Sequence, residues 1–113
     1  MSRLSDAVYK LLKQTFPHNV IIGEYYVNFK GERLFFDYYI KDLGVLIECQ
    51  GRQHDGYVAH FHGDAEGFKA SKKRDNLKIA YAEKEGLTFV AVNDGEDLNE
   101  SELLDRIWSK IEP

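Results

Sequence analysis

Apolar residues recur near the start of the chain at the spacing of one helical face: Leu4, Val8, Leu11, Leu12 and Phe16. A first helix is predicted there, with Ser2 or Ser5 as N-cap and Pro17 as its stop. From Val20 to Phe29 the residues become β-branched and aromatic, Lys30-Gly31-Glu32 reads as a turn, and Leu34 to Ile40 is again strand-like. Asp42-Leu43-Gly44 then leads into the apolar run Val45 to Ile47, so three strands joined by short turns predict an antiparallel meander. After Gly51 the pattern dissolves into a loop with His54, His60 and His62. Helix formers return from Ala65 to Lys84 and stop at Gly86, a C-cap residue. Leu87 to Val92 reads as a short strand buried on both faces. Asn99-x-x-Glu102 has the form of a capping box, opening a last helix whose apolar face is Leu103, Leu104, Ile107, Trp108 and Ile111. The predicted order is α-β-β-β-α-β-α in a single domain, 1–113, without repeats or linkers.

The 113 residues, 43% of them hydrophobic, suffice for a core without metal or disulfide staples. Cys49 is the only cysteine, so no intrachain disulfide forms and a reducing, cytoplasmic setting is expected. No apolar run reaches the roughly 18 residues of a membrane span, and residues 1–14 lack a signal-peptide core, so no membrane partner is expected. The net charge of −4 argues against a general nucleic-acid coat, but the charge is unevenly spread. Asn93 to Asp105 holds six acids and no base, whereas Phe68 to Lys78 holds five bases (Lys69, Lys72, Lys73, Arg74, Lys78) and one acid, Asp75. A local cationic helix face is therefore available.

Side chains alternate along strands, which places Phe35, Asp37 and Tyr39 on one face of the second strand and Leu46, Glu48 and Gln50 on one face of the third. A two-residue turn centred on Asp42-Leu43 pairs positions that sum to 85 and sets Asp37 opposite Glu48. A turn one step later sums to 87 and pairs Asp37 with Gln50 instead, on the same face. Like charges directly opposite on a sheet repel. A shared proton relieves this, and a hard divalent cation relieves it better, because Mg²⁺ is commonly held by one or two carboxylates plus water and phosphate oxygens.

Asp37 followed after eleven positions by Glu48-Cys49-Gln50, in this element order, resembles the PD-(D/E)xK nuclease superfamily. Leu34 to Ile40 together with Ile47-Glu48-Cys49-Gln50-Gly51-Arg52-Gln53-His54 resembles more narrowly the branch of very-short-patch repair endonucleases and phage-encoded EDxHD homing endonucleases. The resemblance covers nearly the whole chain. It implies an α/β, restriction-endonuclease-like fold: an α-β-β-β-α-β core with a C-terminal helix and a mixed central sheet. It also implies a Mg²⁺-dependent endodeoxyribonuclease, with Mn²⁺ as a substitute and DNA as partner. The implied metal ligands are Asp37, Glu48 and the backbone carbonyl of Cys49. His54 and Asp75 match the last His and Asp of the EDxHD pattern, and Asp6 is a looser match for its leading acid. Arg52, Lys72, Lys73, Arg74 and Lys78 would contact nucleic acid. Phe36 stands where the family has proline, and Gln50 where it has its usual lysine. Gln50 would then orient the nucleophile by hydrogen bonding, and Lys72, Arg74 or Lys78 would supply the missing charge.

The alternative function is a non-catalytic nucleic-acid-binding or assembly module that keeps the nuclease fold. His54, Asp55, His60, His62 and Asp64 are zinc-type ligands but match no closed structural motif. Cys49 is expected to face the core, opposite Glu48. Trp108 is expected in the core, with a homodimer contact as the other reading. Tyr25, Tyr26, Tyr38 and Tyr39 are expected to pack within the sheet, with base stacking as the other reading.

Overall fold

The computed structural model describes residues 3–50, 65–93 and 98–111, and only the backbone of Arg3 and of residues 65–71. It is a mixed α/β structure: helix α1 (Arg3–Thr15), strands β1 (Ile21–Phe29), β2 (Glu32–Ile40) and β3 (Val45–Gln50), helix α2 (Ala65–Glu85), strand β4 (Thr88–Asn93) and helix α3 (Glu100–Ile111). Among the described residues this is the element order read from the sequence. The strands form one mixed sheet in the order β1-β2-β3-β4, antiparallel from β1 to β3 and parallel between β3 and β4. Parallel neighbours need a crossover, and α2 supplies it.

Local chemistry sets the element ends. Lys30 and Gly31 both have positive φ, 53° and 79°, which suits a two-residue hairpin turn that follows the strand twist. Gly86, at φ 69°, ends α2, and the Leu87 N–H donates back to the Ala82 carbonyl at 2.8 Å. Asn99 caps α3 by accepting the Glu102 N–H at 2.9 Å. Ser5 is not a cap: it lies inside α1, buried, its Oγ 2.8 Å from the Tyr38 hydroxyl. Ser2 is outside the described residues.

Helices α1 and α3 cover one sheet face through Val8, Leu12, Leu103 and Ile107, packed on Tyr38, Ile40, Val45, Ile47, Val90 and Val92. Helix α2 covers the other face through Leu77, Tyr81 and Ala82, packed on Phe29, Leu34, Phe36, Leu46 and Phe89. Strand β4 therefore contributes to both cores, as its apolar run predicts. Its edge is protected by α3: Lys110 Nζ donates to the Phe89 carbonyl at 2.7 Å and Arg106 Nη1 to the Ala91 carbonyl at 3.2 Å. Trp108 is 43% exposed, contrary to the core position expected of it. Leu103 and Ile107, four residues apart, define the buried stripe, and Trp108 lies about 100° round the helix from Ile107.

The first two strands depart from regular pleating in a way the sequence did not announce. Leu34 and Phe36 face α2, whereas Tyr38 and Ile40, of the same parity, face α1 and α3. On β1, Tyr25, Val27 and Phe29 face α2 while Ile21 faces the other way. Both strands slip between Gly23↔Tyr38 and Tyr25↔Phe36, leaving Glu24 and Asp37 out of the ladder, with Glu24 at φ 51°. Because the slips coincide, the register is unchanged across them. Phe35 consequently does not share a face with Asp37 and Tyr39: it points away from α2 and is 55% exposed.

Candidate metal and phosphate site

The β2–β3 connection spans four residues, a 3₁₀ turn Lys41–Leu43 and Gly44 at φ 65°, instead of the expected two-residue turn. Both arrangements centre on Asp42-Leu43, so the pairs Tyr38↔Ile47, Tyr39↔Leu46 and Ile40↔Val45 keep the sum of 85. The ladder ends at Tyr38↔Ile47, and the next positions in register are Asp37 and Glu48. Asp37 sits on the pleat slip, and its side chain takes over where backbone pairing stops. The Cys49 N–H donates to Asp37 Oδ2 at 2.7 Å.

Glu48 follows Leu46 on the α2 face, where its carboxyl hydrogen-bonds to Asp37 and Lys78 Nζ donates to its Oε2. Glu48 is 13% exposed and Lys78 16%, with the Lys78 ammonium also 5.7 Å from the centre of the Phe36 ring. Burial first, then the hydrogen bond and charge of Asp37, push the Glu48 carboxyl up to about 8, and Lys78 only partly opposes them. Near neutral pH Glu48 therefore keeps a proton, which it can donate in its hydrogen bond to Asp37.

The folded state holds this proton more tightly than the unfolded chain, so the contribution to stability is complete below the ordinary value of 4.5 and is lost as pH rises through about 8. The metal-free melting temperature is expected to fall between about pH 5 and about pH 8.5, and this component is expected to vanish in Glu48→Gln. Thermal melts of both proteins in EDTA across that range check it.

Gln50 ends β3 partly buried, on the face of Glu48 by alternation, and aligns with Asn93 of β4. Cys49 packs toward the α1 and α3 core, and burial, then Asp37 and Glu48, push its thiol up to about 12, so it is no thiolate nucleophile. Lys72, Lys73, Arg74 and Asp75 lie exposed on α2, with Lys73 Nζ 3.5 Å from Glu32 of the hairpin. Asp75 is one turn before Lys78. Asp6 is exposed on α1, which packs on the opposite sheet face from α2. Arg52, His54, Asp55, His60, His62 and Asp64 lie outside the described residues.

The structure thus brings together Asp37, Glu48 and Lys78, with Gln50 beside them. Lys78 was one of three candidate cations in the sequence, and a signal for choosing it was present. It precedes Tyr81 by three residues and buried Ala82 by four, which puts it on the helix face turned to the sheet. No group of three or more His, Cys, Asp or Glu side chains suited to a metal occurs among the described residues. Two carboxylates are nevertheless an ordinary protein contribution to Mg²⁺, whose other ligands are water and phosphate oxygens.

No protein-family model matches the chain, and no solved structure matches it. Among curated proteins, the chain is 34% identical over 91 residues to uncharacterized protein 094L of Frog virus 3 (isolate Goorha). The match covers 77% of this chain and 56% of the viral protein, so the chain spans little more than half the length of that relative.

Proposed function

We propose that this chain is a Mg²⁺-dependent endodeoxyribonuclease of the PD-(D/E)xK type, with a restriction-endonuclease-like fold. The observation that carries the reading is the meeting of the Asp37–Glu48 carboxyl pair with Lys78 on one sheet face, where β2 and β3 stop pairing. A partly buried acid pair that retains a proton is a good place for a divalent cation, which relieves the same repulsion. Asp37, Glu48 and the Cys49 carbonyl would hold Mg²⁺, which supplies positive charge to the scissile phosphate and lowers the pKa of water. Lys78 supplies the cation that Gln50 lacks, close enough to offset charge building on the phosphate oxygens. Gln50 orients the attacking water by hydrogen bonding. Lys72, Lys73 and Arg74 hold flanking phosphates.

Conversion of supercoiled plasmid to open circles with Mg²⁺, and none in EDTA, is the expected activity. DNA binding without cleavage in either condition would assign the chain to the non-catalytic class instead. Replacing Lys72, Lys73 and Arg74 with Ala is expected to weaken binding similarly for unrelated DNA sequences and to reduce its salt slope by roughly one unit per lost phosphate contact. Binding isotherms at several salt concentrations check this, and an unchanged slope would remove the basic helix from the interface.

A further inference from the structure

The β1–β2 hairpin extends beyond the last β2–β3 pair, and α2 packs on only one face of this arm. The other face presents Tyr26 directly paired with Phe35, and next to them Asn28 paired with Arg33. The two rings lie 5.1 Å apart between centroids, inclined at 49°, and are 46% and 55% exposed. Asn28 and Arg33 are exposed as well, and none of the four is acidic although the chain carries a net charge of −4. A cross-strand aromatic pair stabilises a hairpin. That role does not explain why both rings remain about half in water, with exposed Arg33 two residues before Phe35 on the same strand. Flat apolar rings stack on unpaired bases of any sequence, and an adjacent Arg donates to the phosphate between them. Arg33 is the one charged residue among these four, which favours a polyanion as the occupant.

We propose that Tyr26 and Phe35 form a stacking platform for unpaired bases of single-stranded nucleic acid, with Arg33 on the neighbouring phosphate. The choice of nucleic acid as occupant rests on the nuclease reading above, but the binding itself requires no cleavage. The pleat slip places the platform, because it turns the Tyr26–Phe35 pair as a unit to the sheet face away from α2.

Fluorescence anisotropy in EDTA, with oligothymidylate of about 16 nucleotides and a duplex of equal length, tests this. Tyr26→Ala with Phe35→Ala is expected to weaken single-strand binding by about 10-fold or more and to leave duplex binding within about twofold. Phe35→Tyr is expected to keep the affinity. Phe35→Trp, combined with Trp108→Phe, leaves one indole on the platform and should be quenched by oligothymidylate, a readout that does not depend on the alanine variants folding well. Unchanged single-strand affinity, an equal loss for duplex, or an unquenched indole would overturn the proposal. So would a wild-type dimer that the double alanine variant dissociates, since the patch would then be a self-association face. If wild type proves unable to cleave DNA while the platform behaves as described, only the nuclease reading fails.

Discussion

Asp37→Asn is expected to abolish Mg²⁺-dependent cleavage while leaving the metal-free protein within about 1 kcal/mol of wild type, or slightly more stable. The substitution keeps the side-chain volume and an oxygen that can still accept the Cys49 N–H, so the bond that replaces the β2–β3 ladder survives. What is lost is one carboxylate of the pair. Without it Glu48 ionises more easily, and the amide can donate to it alongside Lys78. Added Mg²⁺ should then raise the melting temperature of wild type only, because a ligand stabilises the state that binds it. Melts with EDTA and with Mg²⁺, beside a cleavage assay, decide this. A variant much less stable than wild type in EDTA would mean that Asp37 is chiefly structural.

Lys78→Met is expected to lower cleavage by roughly 100-fold or more, the scale found when one preorganised donor to a transition-state charge is removed. Its effect on metal should be opposite to that of Asp37→Asn. The variant loses a cation that competes for Glu48, so the Mg²⁺-induced rise in melting temperature should persist or grow while turnover falls. Glu48 also loses the partner that holds its pKa down, so this larger Mg²⁺ response should show at a pH high enough for the metal to displace that proton, and weaken below it. Gln50 ends the strand on the face of Glu48, so Gln50→Lys is expected to restore much of the lost activity in the Lys78→Met background. In wild type the same change places two ammonium groups together and should leave activity roughly unchanged. Single-turnover rates and melts on the three variants separate these effects. Equal loss of metal response and cleavage in Lys78→Met would show that the lysine only supports the fold of the pair.

Much of this arrangement is visible in residue spacing, for physical reasons. The β2–β3 register depends only on where the connection is centred, and a tight turn and a four-residue 3₁₀ connection share the centre Asp42-Leu43, so the 85 register follows from either. Cys49 falls on the core side because the alternation from Val45 to Gln50 is unbroken. The coincident slip of β1 and β2 was not legible, because Glu24 takes a positive φ without being glycine. Its consequences, Phe35 turned outward and Asp37 freed from the ladder, were lost with it. Trp108 misleads for another reason: the apolar stripe of α3 is wider than the face the sheet can bury, and Leu103 and Ile107 occupy that face. Lys78 could be chosen from among its neighbours only by noting which α2 residues share a face with Ala82.

If Asp37 and Glu48 jointly hold a divalent cation at a phosphodiester, anomalous scattering from Mn²⁺ in crystals of the protein with DNA will locate it. The expected result is a Mn²⁺ peak bounded by both carboxylates, with a phosphate oxygen among its other ligands and the Lys78 ammonium displaced from Glu48 toward that phosphate. A DNA complex in Mn²⁺ with no peak between Asp37 and Glu48, and with Lys78 still paired to Glu48, would contradict it.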